Sequence, residues 1–285
     1  MKDMCAVLQV LLSSKEVTRV ASELPVPTDG VQVVASGLHE RVCAAVFADV
    51  LRRFNDDSDQ TVFHAWQYAT IMRAVTDISA SATVDTDSTH PGKAVHAFVQ
   101  SAAELAADDM EYAGHSWRMQ DISAVLCAAA SLHVSAHRTF SVAAMLCQAR
   151  LKDMAARASV ADAAILPQLE SLVWAFAVTR THYPYSADAV CRAAADVLRK
   201  LLTAQPDAVD TAVVADMLWS FAAMWQVPVD LFELVGVILD ERRCTSQQPL
   251  RPDVAESLAW SFARAAVTLP ACVLEAAPDK FTSTI

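Results

Sequence analysis

Glycine, strand patterning and paired cysteines are scarce in this sequence, and each scarcity excludes a class of protein. Only five glycines occur in 285 residues, and none belongs to a glycine-rich phosphate-binding loop. Val, Ile and Thr rarely alternate with polar residues as they do in strands. The seven cysteines show no paired spacing, which argues for a reducing compartment and against a secreted disulfide framework. A sheet protein and a disulfide-rich domain are therefore excluded.

Membrane-spanning and strongly basic stretches are also missing. Hydrophobic residues make up 54% of the chain, yet no run reaches the ~18 apolar residues of a membrane span. The formal net charge is −11, the wrong sign for a protein that binds chiefly through phosphate contacts. The first 25 residues mix basic and acidic side chains, unlike an Arg-rich, acid-poor presequence. We expect either that no presequence is needed or that the given chain begins after it.

Motifs for catalysis and metal binding are missing as well. The sequence contains no His-Glu-x-x-His, Gly-x-Ser-x-Gly or Cys-x-x-Cys. His133 and His137 lie four residues apart, with Cys127 and Cys147 nearby, but this segment crosses a predicted turn and lacks a second closely spaced pair. We therefore predict a protein that is not an enzyme, with no catalytic residues, no metal, no cofactor and no small-molecule substrate.

The chain contains instead a repeated helical segment. Asp216–Met224 has the sequence DMLWSFAAM, and clear copies surround Trp174 and Trp260. A weaker copy has Cys127 in the tryptophan position, and the faintest surrounds Trp66. Steps of 47, 45 and 41 residues separate positions 127, 174, 219 and 260, a period typical of stacked helical repeats.

Each copy predicts a helix that is apolar on most of its circumference, with small residues where a neighbouring helix comes close. One such helix cannot bury its aromatic residues alone, and fully burying a large apolar side chain contributes roughly 1.5–3 kcal/mol, so stacking of copies is favoured. We predict that the tryptophans are buried between successive copies and that the repeat core consists of Trp66, Trp174, Phe176, Trp219, Phe221, Trp260 and Phe262.

A second apolar helix follows each copy, at 139–152, 186–202 and 229–242, and prolines stand between the segments. The predicted fold class is all-α, an α-solenoid of paired antiparallel helices with about five to six degenerate repeats. Residues 1–119 are predicted to hold degenerate N-terminal helical repeats, residues 120–275 the clear repeats, and residues 276–285 a tail. The first part is expected to contain helices at 3–20, 31–54, 61–75 and 94–109, with a mobile loop at 79–93.

The repeated phrase, apolar-x-x-Leu-x-Trp-Ala/Ser-Phe/Leu-Ala after a Pro, Gln or Asp at the helix start, resembles the octotricopeptide repeat. It is also similar to the helical repeats that precede RAP domains in organellar RNA-metabolism proteins. The resemblance covers about residues 120–275, with a weaker echo at 59–70. It implies a paired-helix solenoid, a mitochondrial or plastid location, and a role in RNA processing, RNA stability or ribosome assembly. The matching residues are Gln120, Asp121, Ile122, Pro167, Gln168, Leu169, Pro252 and Asp253 at helix starts, and Leu172, Trp174, Phe176, Leu218, Trp219, Phe221, Leu258, Trp260 and Phe262 in the core.

Basic residues cluster at the ends of the second helices, where a stacked array would align them along one edge. Such an edge would contact RNA phosphates without reading base identity. The alternative is that these cations only stabilise helix C-termini, by about 0.3–1 kcal/mol each. The candidates for contact with the RNA backbone are Arg150, Lys152, Arg192, Arg199, Lys200, Arg242 and Arg243.

These observations favour a non-enzymatic helical-repeat scaffold in an organellar ribonucleoprotein, with the mitochondrial ribosome as the expected particle. Its predicted partners are other subunits of that complex, with rRNA or other organellar RNA in addition, and no membrane. The expected location is the mitochondrion, with a plastid as the less favoured alternative. The alternative function is a protein–protein adaptor of armadillo or HEAT type that binds no nucleic acid.

Overall fold

The computed structural model describes residues 65–82, 93–156, 163–180, 182–225, 227–246 and 250–276. Over these ranges it contains α-helices, three short 3₁₀ helices and no strand, which confirms the all-α prediction for this part of the chain. The 3₁₀ helices are Gly114–Ser116, Ala163–Ile165 and Pro206–Ala208. The α-helices are α1 (Ala65–Ala82), α2 (Lys93–Ala113), α3 (Met119–Ser131), α4 (His137–Ala156), α5 (Leu166–Thr179), α6 (Pro184–Ala204), α7 (Thr211–Ala223), α8 (Val229–Ser246), α9 (Pro252–Ala265) and α10 (Ala271–Ala276).

The chain divides into two compact units between Thr139 and Phe140. In the first unit α1 packs on both α2 and α3, with its larger contact on α3. The Thr139 hydroxyl donates a hydrogen bond of 2.7 Å to the Ala103 carbonyl of α2, which attaches the start of α4 to this unit. This unit includes α3, the first helix of the repeat predicted to begin at residue 120, because α3 packs on α1.

In the second unit, successive helices belong alternately to two sets, and the members of each set pack on one another. We call α5, α7 and α9, which carry the three clear copies of the repeated segment, the first helices; α6, α8 and α10 are the second helices. Each first helix packs on the next, α5 on α7 and α7 on α9. The second helices do the same, α6 on α8 and α8 on α10.

Prolines begin several of these helices, as the sequence predicted. Pro184 is the first residue of α6, Pro252 is the first residue of α9, and Pro167 is the second residue of α5. Proline fits there because its fixed φ suits a helix and its missing N–H would have no partner in the first turn. The first helix α7 begins differently, since the Asp210 carboxylate accepts a hydrogen bond of 2.9 Å from the Ala212 N–H.

Three of the helices that carry the repeated segment, α3, α7 and α9, are followed by a left-handed residue at the same place in the repeat, whereas α5 is not. His133, Trp225 and Ala266 are the residues with positive φ in the described part of the chain, and each lies six positions after the tryptophan slot of its copy. After α3 the Val134 N–H donates to the Ala129 carbonyl, the bond expected when a left-handed residue closes a helix. Glycine usually occupies this position, so these residues adopt it at a cost in free energy.

In two places an aromatic pair joins a helix to the first helix that follows it in the chain. Phe140, the fourth residue of α4, meets the Phe176 ring edge-on at 5.4 Å between centroids. Phe232, the fourth residue of α8, meets Phe262 in the same way at 5.3 Å. These edge-to-face pairs lie in the core, and comparable pairs contribute about 0.5–1.5 kcal/mol beyond area burial.

Some predicted elements lie outside the described residues. These are the helices at 3–20 and 31–54, most of the loop at 79–93 and the tail beyond residue 276. The ends of that loop are helical, because α1 continues to Ala82 and α2 begins at Lys93. The remaining predicted helices are confirmed, each with its ends moved by a few residues.

Candidate functional site

The candidate RNA contacts lie on α4, α6 and α8, and most of them do not form an open basic edge. Lys152, Arg192 and Lys200 are exposed, whereas Arg150, Arg199 and Arg242 are half-buried. The side chain of Arg243 lies outside the described part of the structure. Three of these cations bind groups on neighbouring helices.

Arg199 lies between two carboxylates of the second helices. Its guanidinium is 2.7 Å from Asp196 on its own helix and 2.9 Å from Asp230 on α8. Lys200, the next residue, donates a hydrogen bond to the Ala155 carbonyl in the last turn of α4. A cation there satisfies a free carbonyl and offsets the negative end of the helix dipole.

Arg242 connects α8 to the start of α7. One guanidinium nitrogen donates to the Thr211 hydroxyl at 2.9 Å, and another donates to the Val209 carbonyl at 3.0 Å. Without Arg242, the Thr211 hydroxyl and the Val209 carbonyl would each lose this donor. Arg242, Arg199 and Lys200 therefore hold neighbouring helices together.

Lys152 and Arg192 are the exposed candidates that remain. The Nε of Arg192 donates to the Asp188 carbonyl of its own helix at 3.3 Å, and the residue is exposed. Two exposed cations on different helices make a small phosphate site compared with the seven-residue edge that the sequence predicted.

The prediction of fully buried tryptophans is wrong. Trp66 is 46% exposed, and Trp174, Trp219 and Trp260 are half-buried. The Trp219 and Trp260 rings do meet across α7 and α9, with centroids 5.8 Å apart. These two tryptophans thus lie between successive first helices as expected, but they are only half-buried there.

The aromatic residue two positions after the tryptophan forms the core instead. Phe176, Phe221 and Phe262 are completely buried, and in the faintest copy Tyr68 is 6% exposed. The reason is helical geometry: residues two apart are separated by about 200° around the axis, so they face nearly opposite directions. The small residue between them is buried too, being Ala175, Ser220 or Ser261 in the three clear copies.

Carboxylates accompany the tryptophans on the outer side of the first helices. Glu170 lies one turn before Trp174, and Asp216 lies one turn before Trp219. Burial raises the pKa of Glu170, and the nearby Asp216 and Asp210 raise it further. Burial also raises the pKa of Asp216. Like charges from neighbouring first helices are therefore held close together on this side.

Asp216 is also near the charges at the start of α9. Asp253 adds to the increase in the pKa of Asp216, and Arg251 opposes it. Arg251 itself is bound to Asp253 at 2.5 Å. Within the described residues, neither Glu170 nor Asp216 makes a side-chain hydrogen bond or ion pair. Glu256 on α9 is exposed and lies one turn before Trp260.

The aromatic residues that lie near turns divide into two groups. Trp117 is buried, donates from Nε1 to Asp109 at 2.7 Å, and lies 5.6 Å from the Tyr68 ring. Tyr183 is also buried and stacks on Phe140 at 4.6 Å. Both therefore belong to the core, although each lies beside a turn.

Tyr185 and Trp225 are exposed, at 90% and 64%. The Arg264 guanidinium lies 3.2 Å from the centre of the Trp225 ring. This is a cation–π contact between two exposed groups, of a kind that contributes about 0.5–1 kcal/mol. The protein thus already places an arginine on an indole at its own surface.

The first unit contains one further feature, a cavity of about 500 Å³ lined by Ala65, Trp66, Ser116, Arg118 and Asp121. Asp121 is 4% exposed and binds the Arg118 guanidinium at 2.8 and 3.1 Å. The buried carboxylate is therefore already neutralised by its neighbour.

Other chemical groups in the described helices are core components. Burial raises the pKa of the Cys147 thiol to about 12 and raises that of Cys191 as well, which keeps both protonated and unreactive. No group of three or more potential metal ligands occurs in the described part of the chain. Nor does any helix there have the length and apolarity needed to cross a membrane.

Comparison with protein families, with curated proteins and with solved structures gives no match for this chain.

Proposed function

We propose that this chain is a non-enzymatic scaffold, an α-solenoid of paired antiparallel helices that holds other proteins in an assembly. The packing of each first helix on the next, together with that of each second helix on the next, supports the solenoid arrangement. In such an array, each repeat adds surface on which a partner can bind.

The proposal rests on one observation, which is that several basic residues bind partners within the molecule. Arg199, Lys200 and Arg242 bind carboxylates, carbonyls and a hydroxyl of neighbouring helices, so they are already engaged. The acidic chain, with a net charge of −11, therefore offers RNA few cations. Contact through protein surfaces fits this distribution of charge better than contact through phosphates.

The resemblance to octotricopeptide and RAP-associated repeats supports an organellar ribonucleoprotein as the setting, with the mitochondrial ribosome as the proposed particle. There the scaffold would contact other subunits, and Lys152 and Arg192 are the cations available for rRNA phosphates. The second candidate function, an adaptor that binds proteins only, is favoured by the same engagement of the basic residues.

Fractionation of the tagged full chain from its own cells tests both proposals. We expect the chain to cosediment with a large particle and, after ribonuclease treatment, to remain crosslinked to protein neighbours. Sedimentation that does not change with ribonuclease, in a complex without RNA, would support the adaptor. Release by ribonuclease as a free chain would contradict a scaffold bound through proteins.

The double reversal Lys152→Glu and Arg192→Glu measures the contribution of phosphate contacts. We expect cosedimentation to persist in this variant, because protein surfaces carry most of the binding. A control reverses an exposed cation outside the second unit, Arg73→Glu, which makes no described ion pair or side-chain hydrogen bond and should leave cosedimentation unchanged. Loss of the particle in the first variant only would instead identify an RNA edge.

A further inference from the structure

The outer sides of α5, α7 and α9 form one surface that combines indole rings with unpaired carboxylates. We call it the tryptophan face and define it by Trp174, Trp219, Trp260, Glu170, Asp216 and Glu256. Each of the three helices contributes one tryptophan and one carboxylate a turn closer to its N-terminus. Because α5 packs on α7 and α7 on α9, these pairs lie in sequence across adjacent helices.

The charge of this face identifies the chemistry of its partner. Asp216 lies close enough to Glu170 to raise the pKa of Glu170, and neither carboxylate makes a side-chain hydrogen bond or ion pair within the described residues. Like charges held close together are unfavourable, and a further cation brought between them relieves the repulsion, as Arg251 already does in part for Asp216. An RNA strand would add further negative charge and is disfavoured for the same reason.

The aromatic part of the face fits the same cations. Indole is the ring that binds guanidinium and ammonium groups best, at about 0.5–1 kcal/mol for exposed pairs. The contact of Arg264 with Trp225 shows that an arginine lies on an indole elsewhere in this unit. The half-buried Trp219 and Trp260 rings, 5.8 Å apart, already contact each other, which limits the side-chain ordering that a ligand would require.

We propose that the tryptophan face binds an extended, arginine- or lysine-rich segment of a partner protein. The inference deepens the proposed scaffold function and rests on it, because it names the chemistry of the partner segment. Arginine or lysine side chains of the segment lie on the indole rings and pair with the carboxylates beside them.

The repeat geometry also sets a spacing for the cations. Packed helices lie about 8–10 Å apart, and a polyproline II segment advances about 3.1 Å per residue with about three residues per turn, so that every third side chain points to the same side. A segment that crosses the first helices therefore places every third residue over a new helix. Cations at positions i, i+3 and i+6 match three helices, whereas cations at every second residue do not.

The test uses the full chain and a fluorescein-labelled peptide, four repeats of Arg-Ala-Ala, in a polarisation titration. We expect saturable binding that weakens with salt. The peptide with glutamine for every arginine should not bind, and one with the same four arginines placed at every second residue should bind more weakly. Equal binding of the glutamine peptide would overturn the proposal, and so would absence of binding by the first peptide.

Matched double variants locate the binding. Glu170→Gln with Asp216→Asn should weaken binding of the arginine peptide about five- to tenfold, the sum of two partly exposed ion pairs. Glu233→Gln with Asp207→Asn removes the same two charges from exposed positions outside this face and should change affinity less than about twofold. Equal losses in the two variants would show a general effect of net charge and would contradict the proposal.

Trp219→Leu examines the indole separately, because leucine keeps an apolar contact but has no π face. We expect about threefold weaker binding with an unchanged circular dichroism spectrum. The carboxylate variants decide the result if this variant is unstable. Direct binding of a labelled single-stranded RNA of twelve nucleotides that the face variants weaken, or self-association of the chain that only the face variants abolish, would assign the face to a different occupant and overturn the proposal.

These outcomes are distinguishable from failure of the scaffold proposal. If the peptide does not bind but the chain still cosediments with its particle, the scaffold stands and uses another surface. If the peptide binds as expected but no particle is found, the face is a peptide site and the scaffold proposal fails.

Discussion

Phe221 and Trp219 lie in the same helix, two residues apart, and we expect their replacement by alanine to have unequal effects. Phe221 is completely buried, so Phe221→Ala removes buried apolar surface and leaves a cavity enclosed by the core. For such sites the loss is about 3–5 kcal/mol of unfolding free energy. Trp219 is half-buried, so the space left by Trp219→Ala opens to water.

The difference between the two follows from the cavity. An open space carries no enclosed void, so only the transfer of the buried part of the indole and its contact with Trp260 are lost. Taking a truncated buried area of roughly 80 Å² at about 25 cal/mol per Å² gives about 2 kcal/mol for Trp219→Ala. We therefore expect Phe221→Ala to be the more destabilising by at least about 1 kcal/mol.

Urea unfolding followed by circular dichroism at 222 nm measures this difference. Because both residues belong to α7, any local unfolding of that helix affects the two variants alike. The slope of the transition should match that of the unmodified chain, so that a shift in midpoint reports stability. An equal or larger loss for Trp219→Ala would refute the assignment of the core to the residue two positions after the tryptophan.

Three further predictions concern other parts of the structure. Ala266→Gly should raise the unfolding free energy by about 0.5–1 kcal/mol, since glycine adopts the left-handed conformation without a Cβ clash; a lower urea midpoint would contradict this. Arg242→Met should lower it by about 1–3 kcal/mol through loss of its bonds to the turn before α7, while Arg192→Met should change it by less than about 0.5 kcal/mol. Glu170→Gln with Asp216→Asn should increase stability at pH 7, because the raised pKa values show that the folded state disfavours these charges, and the gain over the unmodified chain should shrink as pH falls from 7 toward 5. A gain that grows on acidification would contradict that sign.

The helices were predictable because their signals are local. The repeated segment, the apolar periodicity and the prolines at helix starts indicated the first and second helices, and the structure places Pro184 and Pro252 at the first residue of a helix. The end of α1 was predicted less well. Its last residues belong to a polar, small-residue stretch that the sequence suggested to be a loop, and α1 continues to Ala82. Small polar residues lower helix propensity only slightly, so an established helix can extend through them.

The burial of the tryptophans was predicted wrongly, although the sequence contained a signal for their position. Leu169, Leu172 and Phe176 are spaced three and four apart and form one face of α5, and all three are completely buried. Trp174 lies off that face by its position in the helix. The size and hydrophobicity of tryptophan favoured the core, but a large amphipathic ring is often only partly buried. The carboxylate one turn before each tryptophan was the available signal for a solvent-facing side.

The binding partners of the basic residues could not be predicted, because they lie on helices that are distant in the sequence. Arg199 binds Asp230, which is 31 residues later, and Lys200 binds the Ala155 carbonyl, 45 residues earlier. From the sequence alone, a cation at a helix end is equally suited to its own dipole, to a neighbouring helix or to a phosphate. Only the packing of the second helices distinguishes these possibilities.

This packing determines how charge-reversal experiments on the second helices should be interpreted. A glutamate at position 199 would face Asp196 and Asp230, and a glutamate at position 242 would leave the Val209 carbonyl without its donor. Either reversal would loosen the contact between neighbouring helices before any ligand is considered. A loss of particle association in such variants would therefore report disturbed stacking as readily as a lost phosphate contact.

Reversal of Lys152 and Arg192 avoids this ambiguity, because their charged groups are exposed and bind no other helix through a described ion pair. Those two positions, and not the whole set of seven, are where RNA binding by this protein can be measured independently of its fold.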